Sequence, residues 1–395
     1  MYKKIFASFL LFLSLSFMTV ASAEEAKDIM TITREAGYTV QDINRPKSSI
    51  VVDANTGDIL WQDNIDAVRD PASMSKMFTL YLLFEELAKG KITLDTTVKA
   101  TETDQAISGI YEISNNKIVA GVDYPIKDLI TMTVVPSSNA ATVMIANYLS
   151  NNDAGAFIDR INQTAKDLGM TNTYFSNASG AAAQAFHGYY TPQGYNPAAP
   201  NQTSSHDLAI LIYQFLNKYP DILKFTNQSL VKTMVGTPYQ EEFHSYNYSL
   251  PGDKYGLEGV DGLKTGSSPT GAFNAMVTAK RGKTRLITIV MGVGDWSDQD
   301  GEYYRHPFIN ALTSKTFKDI SEKKEKREAN LFPRKAKRIT GDISRPSNKH
   351  KDYKEPKSLI AKIEHFIDYH HKLVFICLGL FIILVVLLVV IAMLH

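Results

Sequence analysis

Cysteine is almost absent: the 395 residues contain one, Cys377. A secreted domain made from this chain has no disulfide to rely on and must be held by its core. Cys377 lies inside an apolar run and reads as a small apolar residue. No cysteine stands near residue 24 to carry an N-terminal lipid. Other absences narrow the chemistry. No Gly-x-Ser-x-Gly elbow occurs, and His187, His206, His244 and His306 lack a serine context, so a Ser-His-Asp hydrolase finds no support and these histidines read as structural. Metal and nucleotide motifs are missing, and neither a metal, a cofactor nor a nucleic-acid partner is expected. No glutamate occurs between Glu112 and Glu241, and there is no internal repeat.

Long apolar runs are present at both ends. Lys3 and Lys4 precede an apolar run from Ile5 to Val20, and Ala21-Ser22-Ala23 supplies the small residues of a cleavage site, so residues 1–23 read as a signal peptide. Leu373 to Leu394 carries no charge. At about 1.5 Å per residue it reaches roughly 33 Å, enough for a bilayer core of about 30 Å, and reads as a transmembrane anchor. A lipid-anchor signal is the rival reading of such an ending. The expected location is the cell membrane, single-pass, with the globular part outside. The net charge of +1 hides an asymmetry: residues 315–372 carry 17 basic and 9 acidic residues, leaving the preceding domain acidic. Residues 314–372, interrupted by Pro333, Pro346 and Pro356, read as a basic stalk, and residues 24–313 as the folded domain.

Within that domain "SSIVVDANTGDILWQDN" (Ser48 to Asn64) reads as a hairpin. "GVDGLKTG" (Gly259 to Gly266), followed by "GAFNAMVTAKRGKTRLITIVMGVG" (Gly271 to Gly294), predicts three adjacent antiparallel strands. Between these regions apolar residues recur at spacings of three and four over Met77 to Leu87, Ile126 to Tyr148 and His206 to Leu216. Strands at both ends with helices between imply one α+β domain, its sheet completed by distant segments. Residues 176–205 read as a long irregular loop that lines a cleft.

Ser73 and Lys76 are three apart at the head of a helix apolar nearly all round, close enough for the amine to take the hydroxyl proton. The helix dipole and burial both disfavour a charged Lys76 and push it toward the neutral base. Ser75 points elsewhere. Lys264-Thr265-Gly266 occurs once, at the end of a predicted strand: the lysine and threonine suit a carboxylate, and the glycine lets a substrate backbone approach. Ser-x-Asn recurs at Ser114, Ser137, Ser150 and Ser245, but only Ser137 and Asn139 stand in a loop heading an apolar helix.

The order Ser-x-x-Lys, Ser-x-Asn, Lys-Thr-Gly is the set found in penicillin-binding proteins and serine β-lactamases. With "NIDAVRDPASMSKMFTLYLLFEEL", "SSNAATVMIANYL", "DLGMTNTYFSNASG" and "VDGLKTGSSPTGAFNAMVTAKRG", residues 40–300 resemble the low-molecular-mass D-alanyl-D-alanine carboxypeptidases of Gram-positive bacteria, the penicillin-binding protein 4 type. The resemblance implies a penicillin-binding-protein fold, an antiparallel sheet with a helical subdomain. It further implies that Ser73 is the nucleophile and Lys76 its base, and that Ser137 relays a proton to the leaving amine. Asn139 would hold the substrate amide, Lys264, Thr265 and Gly266 the carboxylate end, and the backbone N–H groups of Ser73 and Ser267 the oxyanion. The implied partners are stem peptides ending in D-Ala-D-Ala and β-lactam antibiotics. Carboxypeptidases of this kind usually carry a second, β-rich domain, for which the stalk is too short and too charged. A class A β-lactamase deacylates with a glutamate downstream of its Ser-x-Asn element, which the gap after Glu112 does not provide. Glu112, near the expected cleft, is a candidate for tuning specificity, with a surface charge the favoured reading. A catalytically idle wall-binding or antibiotic-sensing protein on the same fold is disfavoured by the intact Ser73, Lys76 and Lys264.

Overall fold

The structure, a computed structural model, describes residues 27–298 and 300–332. The expected signal peptide, transmembrane anchor, Cys377 and most of the stalk lie outside the described residues. Among the described residues no helix is long and apolar enough to cross a membrane.

After α1 (Ile29–Glu35) the chain forms a hairpin from β1 (Ser48–Asp53) and β2 (Asp58–Asp63). Its turn uses Gly57 at φ +77°, a left-handed conformation that suits glycine. A 3₁₀ turn (Ala72–Ser75) runs into α2 (Lys76–Ala88), and β3 (Thr97–Lys99), α3 (Glu102–Ser108) and β4 (Asp123–Pro125) follow. The helical periodicity over Ile126 to Tyr148 resolves into α4 (Ile126–Val134) and α5 (Asn139–Ser150). The break between them is capped by the Ser138 hydroxyl, which accepts from the Ala141 N–H. Then come α6 (Ala154–Asp167), the long loop with one 3₁₀ turn (Ala183–Phe186), α7 (Ser205–Lys218) and α8 (Leu223–Thr226). A small hairpin of β5 (Leu230–Thr233) and β6 (Glu241–His244) precedes β7 (Val260–Ser268), β8 (Ala272–Arg281) and β9 (Thr284–Val293). Last are α9 (Gly301–Ser321) and β10 (Ala329–Asn330).

The main sheet has the order β10-β2-β1-β9-β8-β7 and is antiparallel throughout. The N-terminal hairpin therefore joins the late strands through β1 and β9, as the sequence predicts. Alternation along each strand splits the core into two layers. Ile50, Val52, Ile287, Ile289, Met291 and Met276 face the helical region. Val51, Leu286, Val290, Ala275 and Val277 face α1 and α9. Burial on both faces explains why β8 and β9 read as nearly continuous apolar runs.

The folded domain runs past residue 313, where the sequence reading placed its end. Thr316 and Phe317 of α9 are buried, and the Arg281 guanidinium lies 4.6 Å from the Phe317 ring centroid. β10 then adds an edge to β2, with Leu331 buried and Phe332 against Tyr213. The charge of the segment as a whole masks these few apolar residues, through which residues 314–332 pack on the domain.

Candidate active site

All of the residues singled out from the three motifs converge on one cleft of about 650 Å³ between the end of β7, the 3₁₀ turn before α2, the α4–α5 break and the long loop. Ser73, Ser137, Asn139, Thr265, Gly266 and Ser267 line it. Lys76 and Lys264 lie beneath its surface, fully or almost fully buried.

Ser73 stands on the 3₁₀ turn rather than inside the α-helix. Residues three apart eclipse each other in that geometry, so the turn stacks Ser73 on Lys76 more directly than an α-helix would. Lys76 Nζ is 3.0 Å from Ser73 Oγ, 2.9 Å from Asn139 Oδ1 and 2.8 Å from the Ser179 carbonyl oxygen. Burial, reinforced by the nearby Lys264 charge, holds the Lys76 amine well below the ordinary lysine range. Asn139 and Ser179 present carbonyl oxygens that can only accept. A neutral amine therefore gives one N–H to each and turns its lone pair to the Ser73 hydroxyl. Asn139 is fixed in that orientation because its Nδ2 donates to the Ser114 carbonyl at 2.9 Å.

Two glycines let this turn sit so close to its neighbours. A Cβ at Gly266 would come within 2.3 Å of the Pro71 carbonyl oxygen and 3.1 Å of the Ser73 nitrogen. A Cβ at Gly180 would meet the Ala72 carbonyl oxygen at 1.9 Å, and Gly180 has φ +93°. The motif glycine is thus required by the protein's own Ser73 turn, a closer constraint than the substrate approach expected of it. Ala72 between them is itself left-handed, at φ +48°.

Sequence reasoning missed the side chains that hold the loop carbonyl on Lys76. Asn201 Nδ2 donates to Ser75 Oγ and to the Asn177 carbonyl, both at 3.0 Å, and its Oδ1 accepts from the Ser176 and Asn177 N–H groups. Asn177 Oδ1 in turn accepts from the N–H groups of Ser179 and Gly180. Ser75 is thereby a structural neighbour, as read. Asp70 was missed too: its carboxylate accepts from the Ala72 N–H and from the hydroxyls of Ser268 and Thr270, tying the strand end to the turn that carries Ser73.

On the opposite wall Lys264 Nζ donates to the Thr265 carbonyl at 3.1 Å. Burial and the charge of Arg305 bring it down to about 7. Arg305 of α9, unnoticed in the sequence, is buried beneath the cleft and donates to Ser267 Oγ at 2.7 Å, and its Nε has no hydrogen-bond partner among the described residues. Burial lowers it to about 10, so it stays cationic at neutral pH. Ser137 has φ +62°, and its buried Oγ has no hydrogen-bond partner among the described residues. His306 is buried against Ser249 and stacked on Tyr255, a structural position as read.

The model of the D-alanyl-D-alanine carboxypeptidase family, peptidase S11, matches residues 35–295. The chain is 28% identical over 256 residues to the D-alanyl-D-alanine carboxypeptidase DacF of Bacillus subtilis, covering 65% of this chain and 59% of that one. It is 26% identical over 289 residues to DacA of Escherichia coli K12, covering 71% and 64% respectively. The matched stretch is thus less than two thirds of either curated relative. Among solved structures, a peptidoglycan synthesis regulatory factor (PBP3) from Streptococcus pneumoniae is similar with a TM-score of 0.63 and 27% identity, over 69% of this chain and 73% of that one.

Proposed function

The chain belongs to the D-alanyl-D-alanine carboxypeptidase family, peptidase S11, and from that premise we propose that it is a membrane-anchored serine D,D-carboxypeptidase acting outside the cell on peptidoglycan stem peptides. The observation that carries the proposal is the buried Lys76 amine, 3.0 Å from Ser73 Oγ with two carbonyl acceptors for its N–H groups.

In the proposed reaction Ser73 Oγ attacks the carbonyl between the two terminal D-alanines while its proton passes to Lys76. A positioned base of this kind contributes about 10²–10⁴-fold. The Ser73 and Ser267 N–H groups face the developing oxyanion, at about 3–4 kcal/mol per donor. Lys264, Thr265 and the cationic Arg305 hold the terminal carboxylate. The Ser137 hydroxyl, free of any other partner among the described residues, relays the proton to the departing D-alanine amine. Water then hydrolyses the Ser73 ester; an acceptor amine in its place would give transpeptidation through the same intermediate. β-Lactams enter by the same attack and remain as a trapped ester, because no glutamate lies between Glu112 and Glu241 to activate a deacylating water.

The apolar runs at residues 5–20 and 373–394 support export and anchoring, with the described domain ahead of a basic stalk. The test is D-alanine release by the full chain from a stem pentapeptide, assayed beside penicillin hydrolysis. Release of D-alanine with negligible drug turnover is expected; rapid drug hydrolysis without D-alanine would point to a β-lactamase instead.

A further inference from the structure

Among the described acidic residues of the cleft, none of which the proposed reaction uses, one stands apart. Asp70, Glu112 and Glu302 are the acidic residues lining it. Asp70 is saturated by the Ala72 N–H and two hydroxyls. Glu302 lies 3.8 Å from the Arg305 guanidinium. Glu112 has no hydrogen-bond partner among the described residues; its one neighbour at ion-pair range is His187, with Nε2 at 4.0 Å, and its side chain is 43% exposed.

The placement of Glu112 is fixed by the catalytic framework. Two residues on, the Ser114 carbonyl accepts from both the backbone N–H and the Nδ2 of Asn139, each at 2.9 Å, so the Glu112 loop is locked to the wall opposite β7. The β7 side carries Lys264 and Arg305, and the Glu112 side carries a carboxylate. A cleft with cations on one wall and an anion on the other is complementary to a ligand with a carboxylate at one end and an ammonium further along. The same cleft is also lined by aliphatic side chains, those of Ile113, Ala181, Ala182, Ala185 and Pro200. That combination suits an extended alkyl side chain that packs its methylenes on apolar lining and presents its charged head to Glu112.

Building on the carboxypeptidase reading, we propose that Glu112 receives the free amine of a lysine-like side chain in the substrate's acyl part, so that the enzyme selects stem peptides whose side-chain amine is uncapped. Specificity of this kind is a difference between two related substrates and is measured as one.

The test compares kcat/KM for D-alanine release from a lysine-containing stem peptide and from its Nε-acetyl form. Wild-type enzyme prefers the free amine by about fivefold, the upper range for a partly exposed ion pair. Glu112→Gln brings the ratio to about one, and Glu112→Lys inverts it. A wild-type ratio of one, or a ratio that Glu112→Gln leaves intact, overturns the proposal. If wild-type enzyme releases D-alanine from neither peptide, the carboxypeptidase reading fails. The Glu112 assignment then rests on calorimetric affinities of the two peptides for the wild-type chain: a fivefold preference for the amine supports it, and equal affinities overturn it.

Discussion

Two buried lysines face each other across the cleft and differ in almost everything but their chemistry. Lys76, on the helical wall, is ringed by two carbonyl oxygens and a hydroxyl. Lys264, on the sheet wall, has one carbonyl acceptor and a buried guanidinium nearby. Both are pushed toward neutrality by burial, and the cationic neighbour of each pushes further: Lys264 beside Lys76, Arg305 beside Lys264. The difference lies in what each can do with its next proton. Lys76 has its N–H groups committed and a lone pair to offer. Lys264 has donors to spare, and an arriving carboxylate supplies the counter-charge that favours its protonated form. In the proposed reaction, position in the fold turns one residue type into a base on one wall and an anion grip on the other.

Removing the proposed nucleophile from the helical wall has the largest expected effect. Ser73→Ala should lower kcat by at least about 10⁴-fold, read as D-alanine release, since members of a catalytic unit fail together. Lys76→Gln comes next, at about 10³-fold, by loss of the base. A Lys76 variant in which acylation kept its wild-type rate would shift the base role elsewhere.

The sheet wall is probed by pH. Lys264 is charged below about 7 and neutral above it, so kcat/KM, which reports the free enzyme, should fall on the alkaline side of about pH 7. Lys264→Arg keeps the charge and should remove that limb while costing about tenfold in kcat/KM through its different shape. Acid works on the other wall: the lowered Lys76 must stay unprotonated to accept from Ser73, so activity also falls as pH drops through its depressed range. A kcat/KM that stays flat from pH 6 to 9 would contradict the Lys264 assignment.

Smaller effects sharpen the picture by acting on the supports. Gly180→Ala forces a Cβ against the Ala72 carbonyl at a left-handed backbone position and should destabilise the domain by about 2–3 kcal/mol in urea unfolding. Asn201→Ala frees the loop that delivers the Ser179 carbonyl. It should reduce kcat about tenfold with KM unchanged, because Asn201 acts on Lys76 through Asn177 and the Ser179 loop.

The motif residues were legible because each set is local: Ser73 with Lys76, Ser137 with Asn139, and Lys264 through Ser267 are read within a few positions. The sheet was legible too, since β8 and β9 announce themselves by length, apolarity and an Arg281-Gly282-Lys283 turn. What stayed hidden acts across long sequence separations. Asn201 is 126 residues from Ser75, and Asp70 lies 198 residues from Ser268. Arg305 sits on a helix whose start gives no signal that its side chain turns under the cleft. Gly180 shows why composition misleads: in a loop rich in glycine and alanine nothing marks the one glycine that a Cβ would exclude. The domain boundary was misplaced for a similar reason, because a few buried residues such as Phe317 outweigh a charged background.

The central claim is that Ser73, activated by Lys76, forms a covalent ester. Its most direct test is peptide-mapping mass spectrometry of the full chain after a short exposure to penicillin. The account predicts the mass of one intact penicillin on the peptide containing Ser73, slow to disappear. An adduct on Ser75 or Ser137 with Ser73 unmodified, or labelling that persists in Ser73→Ala, would contradict it.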